Sequence, residues 1–133
     1  MSGEEFEHYL GFLFTKLGYK TKVTQLSGDY GADLVIKKDG IKTVVQAKRY
    51  RNKVNNKAIQ EIVASKTKSV YRADKSMCVT NSYYTKPAIE LAGANDVELW
   101  NRGRLIKELS RLDIRKEAQG NLIVVKKFLS EGK

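Results

Sequence analysis

The stretch ADLVIKKDGIKTVVQAK, residues 32–48, decides the fold. Its apolar and β-branched residues fall into two runs, Ala32 to Lys37 and Lys42 to Lys48, joined by Lys38-Asp39-Gly40-Ile41. An Asp-Gly pair between two such runs is a strong hairpin signal, so the reading is an antiparallel strand pair. Ser27-Gly28-Asp29-Tyr30-Gly31, just ahead of it, reads as a turn with two glycines free to take positive φ.

Upstream, Phe6, Leu10, Leu13 and Leu17 recur at spacings of four, three and four, the apolar face of a helix from Glu4 to Leu17 that Gly18 ends. Tyr19 to Gln25 is rich in aromatic and β-branched residues and reads as a strand. Downstream, Asn55-Asn56 opens a helix to about Tyr71 with Ile59, Ile62 and Val63 on its buried side. Lys75 to Thr80 is a strand, Thr85 to Asn95 a helix with Pro87 in its first turn, Val97 to Trp100 a strand, and Arg102 to Leu112 a helix. The order α-β-β-β-α-β-α-β-α predicts an α/β fold, a mixed central sheet flanked by helices on both faces. Asn121 to Phe128 reads equally as an added strand or a short helix.

Length and composition agree with one domain over residues 1–133. No repeat, low-complexity segment or Pro/Ser-rich linker divides the chain, and a 41% hydrophobic share with 30% charged residues suits a globular core rather than disorder. Cys78 and His8 are single residues of their kinds, which argues against disulfides, Cys-rich zinc sites, HExxH sites and His-dependent triads. The opening Met-Ser-Gly-Glu-Glu-Phe-Glu lacks the positive region and apolar core of a secretory signal. No apolar run approaches the ~18 to 20 residues that span a bilayer, so the expectation is a cytoplasmic protein.

The formal net charge is +10, and it is unevenly placed. Residues 37–57 hold Lys37, Lys38, Lys42, Lys48, Arg49, Arg51, Lys53 and Lys57 against the single acid Asp39. Such a concentration attracts polyanions, because binding phosphates releases their condensed counterions, and nucleic acid is the first candidate partner. Arg49, Tyr50, Arg51 and Lys53, basic groups interleaved with an aromatic, suit phosphate contacts.

Asp33 follows the glycine turn at a strand start, and Gln46-Ala47-Lys48 ends the facing strand. Alternation puts Gln46 and Lys48 on one face and Ala47 on the other. If the hairpin register sets Asp33 against them, a carboxylate, an amide oxygen and an ammonium converge, a site suited to a phosphate and a divalent cation. Asp33 and the Ala47 carbonyl are hard oxygen ligands for Mg²⁺ or Mn²⁺, and Lys48 can steady an attacking water and the charge of a pentacovalent transition state.

Gly-Asp-Tyr-Gly-Ala-Asp-Leu-Val-Ile (28–36) followed by Val-Val-Gln-Ala-Lys-Arg-Tyr (44–50) resembles the core of the PD-(D/E)XK nucleases, and more closely the Mrr-like restriction endonuclease catalytic domain, where Gln replaces the acid before the lysine. The likeness extends to Phe6-Glu7 with Leu17-Gly18-Tyr19, to residues 79–85 with Ala88, and to Val97-Glu98-Leu99-Trp100. It covers residues 3–110 and leaves 113–133 as a C-terminal extension.

The resemblance implies metal-dependent hydrolysis of DNA phosphodiesters. Asp33 would be the main metal ligand, Gln46 its neighbour in the acid's usual place, Lys48 the catalytic lysine, and Glu7 a direct or water-bridged ligand from the first helix. Lys57 and Gln60, at the start of the next helix, would face the DNA. Two copies cutting two strands imply a homodimer, and target recognition would reside in a separate subunit. The alternatives are a structure-selective nuclease such as a Holliday junction resolvase, or an inactive DNA-binding module of the same fold. Ser82 and Thr85 could bond a phosphate, although capping is the commoner use of a residue at Thr85.

Overall fold

The computed structural model describes residues 2–24, 32–67 and 71–112. Within them lie α1 (Gly3–Lys16), β1 (Lys20–Val23), β2 (Leu34–Lys38), β3 (Ile41–Lys48), α2 (Asn56–Lys66), β4 (Lys75–Thr80), α3 (Lys86–Ala94), β5 (Val97–Trp100) and α4 (Arg102–Arg111). The strands form one sheet in the order β1-β2-β3-β4-β5. β1–β2 and β2–β3 are antiparallel, whereas β3–β4 and β4–β5 are parallel, as crossovers through α2 and α3 require. The fold is thus the mixed α/β sheet expected from the order of elements. The glycine turn at 27–31 and the segment 113–133, including the strand-or-helix choice at Asn121 to Phe128, lie outside the described residues.

Local chemistry sets most boundaries. Ser2 caps α1 in a reciprocal box, its Oγ accepting from the Glu5 N–H and the Glu5 carboxylate accepting from the Ser2 N–H. Gly18, at φ +98°, ends the helix in the left-handed region where a Cβ is strained. Asp39 and Gly40 both have positive φ, the backbone that a two-residue hairpin turn matched to strand twist demands. Asn55, Thr85 and Asn101 cap α2, α3 and α4 with side-chain oxygens. α2 is shorter than its sequence suggests: it stops at Lys66, where the Thr67 hydroxyl donates back to the Ala64 carbonyl.

Each face of the sheet has its own core. Phe6, Leu10, Leu13 and Phe14 of α1 pack with Leu105 and Leu109 of α4 on Leu34, Ile36, Val45, Met77, Val79 and Trp100. Ala58, Ile59 and Ile62 of α2 and Ala88 and Ala92 of α3 pack on Val44, Cys78 and Val97 of the other face. Each fully buried Phe or Leu contributes about 1.5–3 kcal/mol relative to exposure. The Tyr84 hydroxyl donates toward the Cys78 and Trp100 carbonyls, tying together the carboxyl ends of β4 and β5. Among the described residues no helix is long and apolar enough to cross a membrane.

Candidate active site at the carboxyl end of strand β3

β3 and β4 run parallel, and their carboxyl ends open onto two loops. In open α/β sheets this is the edge where ligands bind. The loop after β3 is stitched to the loop after β4: the Tyr50 N–H donates to Asn81 Oδ1 at 2.8 Å, Ser82 Oγ to the Asn52 carbonyl at 2.9 Å, and Val54 and Tyr84 form a bridge. Ser82 is therefore tied to the main chain, and Thr85 caps α3. Arg49 is partly buried, while Tyr50, Arg51, Lys53 and Lys57 are exposed along this rim.

Asp33 immediately precedes β2. Its N–H donates to the Val45 carbonyl at 2.8 Å, although the Cα partner of Val45 is Leu34. Two residues thus share one across the pair, as in a β-bulge, and a bulge re-aims the side chain it displaces. The Asp33 carboxylate accepts from the Ala47 N–H at 2.8 Å. It is thereby fixed to the main chain of the residue between Gln46 and Lys48, a sharper placement than a plain hairpin register provides.

Gln46 is buried at 3% exposure, and its Nε2 donates to Glu61 Oε2 of α2 at 3.0 Å. A carboxylate only accepts, so this contact fixes which end of the amide faces Glu61. Gln46 Oε1 is the opposite end, buried and without a hydrogen-bond partner. An unpaired buried acceptor is costly and calls for a cation or donor to satisfy it. The same Glu61 Oε2 lies 3.8 Å from Lys48 Nζ, whose side chain is 20% exposed. Lys48 Nζ also stands 6.0 Å from the Tyr50 ring centre.

Glu61 is the residue that the sequence reading passes over in favour of Gln60, which is exposed. The signal was present: Ala58, Ile62 and Ser65 define the buried stripe of α2, and Glu61 flanks it at i+3 from Ala58. Gln60 lies farther round the helix.

Glu7 reaches the site from α1, on the opposite face of the sheet. Its pKa is pushed up to about 7, chiefly by desolvation, then by the nearby negative charges of Asp33 and Glu4. Glu5, the competing first-turn acid, is held in the capping box. Cys78, the β4 partner of Gln46, is pushed up to about 11, first by burial, and feels Lys48, Asp33 and Glu61 together. It is a core residue.

The candidate ligand atoms, the Asp33 carboxylate, Gln46 Oε1 and the Ala47 carbonyl, are all oxygens, which suit a hard divalent cation. Among the described residues no three His, Cys, Asp or Glu side chains form a cage for an ion. The buried Gln46 Oε1, next along β3 from the main chain that anchors Asp33, fits the role of a neutral oxygen ligand beside a carboxylate. A separate cavity of about 600 Å³, lined by Lys66, Asp74, Ser76 and Glu98 among others, lies at the amino ends of β4 and β5, away from this chemistry.

The fold is that of a restriction endonuclease-like domain. The chain belongs to the Mrr_cat restriction endonuclease family, whose pattern matches residues 1–109. No curated protein is matched.

Three solved structures share the fold. The restriction endonuclease MspJI in complex with a 27-mer oligonucleotide aligns at TM-score 0.65 and 18% identity, over 97% of this chain and 31% of that one. The DNA modification-dependent restriction endonuclease AspBHI aligns at 0.66 and 17%, over 95% and 35%. AF1548, a protein of unknown function, aligns at 0.67 and 17%, over 75% and 58%. The chain therefore spans about a third of the two restriction endonucleases and rather more than half of AF1548.

Proposed function

We propose that this domain is a divalent-metal-dependent endonuclease that hydrolyses phosphodiester bonds of DNA. The observation that carries the reading is the contact of the Asp33 carboxylate with the Ala47 N–H, beside a buried, unpartnered Gln46 oxygen and a lysine steadied by Glu61.

Asp33, Gln46 Oε1 and the Ala47 carbonyl would hold Mg²⁺ or Mn²⁺, with Glu7 as a direct or water-bridged neighbour. Such an ion offsets phosphate charge and lowers the pKa of a bound water. The Ala47 N–H holds the Asp33 carboxylate in one orientation. Glu61 orients the Gln46 amide and holds Lys48 in place, and Lys48 stabilises the extra negative charge of the pentacovalent transition state. Arg49, Tyr50, Arg51, Lys53 and Lys57 supply contacts to the DNA backbone along the rim, with exposed Gln60 at its margin.

The reading extends to residues 1–133 as one domain, with a family-like core at 3–110, and to a homodimer, because two related sites are the simplest way to cut both strands. Recognition of a particular target would fall to another domain or subunit.

The test is nicking of supercoiled plasmid. The protein nicks it in Mg²⁺ or Mn²⁺, and EDTA or Asp33→Asn abolishes the activity. Tight DNA binding with no cleavage in any divalent metal overturns the hydrolytic reading.

A further inference from the structure

Among the described residues, helices cover only part of the face of the sheet that carries Gln46 and Lys48. α2 and α3 pack on β3, β4 and β5, and among the described residues no helix packs to a comparable extent on that face of β1 and β2. Which side chains point there follows from the packing of the opposite face. A Cβ on Gly11 of α1 would lie 3.5 Å from Val23 Cγ2, 3.7 Å from Thr21 Cγ2 and 3.8 Å from Leu34 Cδ2, so these residues turn toward α1. Ile36 belongs to the same core, and Lys38 Nζ donates to the Leu17 carbonyl at the end of α1. By strand alternation Lys20 and Lys22 of β1, Lys37 of β2 and Lys42 of β3 point the other way.

Register then sets three of these lysines abreast. Lys20 is the cross-strand partner of Lys37, and Lys37 is the partner of Lys42. Directly opposed side chains have Cβ atoms about 4.5–5.5 Å apart, and like charges so placed are destabilising. Lysines on an edge strand are commonly explained as protection against edge-to-edge aggregation. That accounts for β1, but Lys37 and Lys42 stand on interior strands. β1, β2 and β3 contribute no acid to this face to neutralise the row. Asp74 lies at its margin, where its carboxylate accepts the Lys42 N–H.

From the structure we infer that Lys20, Lys37 and Lys42, with Lys22 beside them, form a second contact surface for the backbone of duplex DNA, on the same face of the sheet as Gln46 and Lys48. The identity of the polyanion rests on the nuclease reading above. β3 places Lys42, Gln46 and Lys48 on one face, and at about 3.3 Å per residue Lys42 and Lys48 are roughly 20 Å apart. Val44 and Gln46 between them are buried under α2, so the row is a separate patch on this face rather than a continuation of the Lys48 site. Lys20 and Lys37 also line a shallow cavity of about 350 Å³ with Lys38 and Asp39, and side chains of this kind contact phosphates rather than read bases.

The test is equilibrium binding of a 30-base-pair duplex by the whole chain across a NaCl series, comparing wild type with the triple variant Lys20→Gln, Lys37→Gln, Lys42→Gln. A charge-matched control, Lys16→Gln, Lys86→Gln, Lys107→Gln, removes three exposed lysines from α1, α3 and α4. Each lost phosphate contact lowers the slope of log K against log salt by about 0.9, so the row variant loses about 2 to 3 while the control changes by less than one. Equal slopes for the two variants, or a wild-type chain that does not bind duplex at all, overturn the inference. Cleavage is scored separately: a wild-type chain that binds steeply yet never cuts defeats the hydrolytic reading and leaves the lysine row supported.

Discussion

Glu61 Oε2 accepts a 3.0 Å hydrogen bond from Gln46 Nε2, joining the second helix to the strand that carries Lys48. This contact gives a physical reason for an amide at position 46. A carboxylate there would face Glu61 at hydrogen-bond distance, and two carboxylates that close cannot both ionise without cost. Gln46→Glu is therefore expected to destabilise the fold by about 1–3 kcal/mol at pH 8, or roughly 4 °C in Tm per kcal/mol. Adding Glu61→Gln restores the loss, and lowering the pH to 5 recovers part of it because one acid takes up a proton. Thermal melts of the four chains at the two pH values complete the cycle.

Glu61 also holds Lys48, since the same oxygen lies 3.8 Å from Nζ. Removing a residue that orients a catalytic group typically costs 10–100-fold, so Glu61→Ala should lower the single-turnover cleavage rate by about that factor. Glu61→Gln keeps an acceptor for Gln46 and loses the charge opposite Lys48, and should fall between wild type and Ala. An unchanged rate in both variants would remove Glu61 from the site.

Much of this architecture was legible in the sequence. Lys75 to Thr80 and Val97 to Trp100 are bounded by turn chemistry strong enough that their limits match the observed strands, and Asp39-Gly40 forms the expected hairpin turn. The end of α2 was harder, because its helical pattern runs on past Thr67 and the stop is a side-chain bond invisible to periodicity. The site shows the same limit. Alternation places Gln46 and Lys48 on one face, but the Asp33 contact depends on a local shift of register at Val45, which composition does not encode. Glu61 looks like any solvated helix acid until α2 is docked over β3.

Asp33 accepts a structural hydrogen bond from the Ala47 N–H and is also the proposed metal ligand, and two substitutions separate the roles. Asp33→Ala leaves the Ala47 N–H without its acceptor and should cost about 1–3 kcal/mol. Asp33→Asn can still accept that bond and should stay within about 1 kcal/mol of wild type, yet both should cut at least about 10³-fold more slowly. Denaturant unfolding alongside plasmid cleavage distinguishes the two effects.

The raised pKa of Glu7, about 7 against an ordinary 4.5, predicts a pH-dependent stability. Between these values the folded chain holds a proton that the unfolded chain has released, so stability falls as pH rises through this window and the loss is complete above pH 7. Glu7→Gln should thus equal wild type near pH 4.5 and exceed it above pH 7. The gain is about 1 kcal/mol once solvent screening of a partly exposed carboxyl is allowed for. Melts in metal-free buffer from pH 4.5 to 8.5 check this, and a constant offset across the range would refute it.

The claim that one hydrolytic centre is built from Asp33, Gln46 and Lys48 is tested most directly by single-turnover cleavage at saturating protein, with DNA affinity measured independently for each variant. Lys48→Ala should bind plasmid within a few-fold of wild type and cut it at least about 10³-fold more slowly in Mg²⁺. Cleavage by Lys48→Ala at the wild-type rate would show that the chemistry lies elsewhere on the molecule.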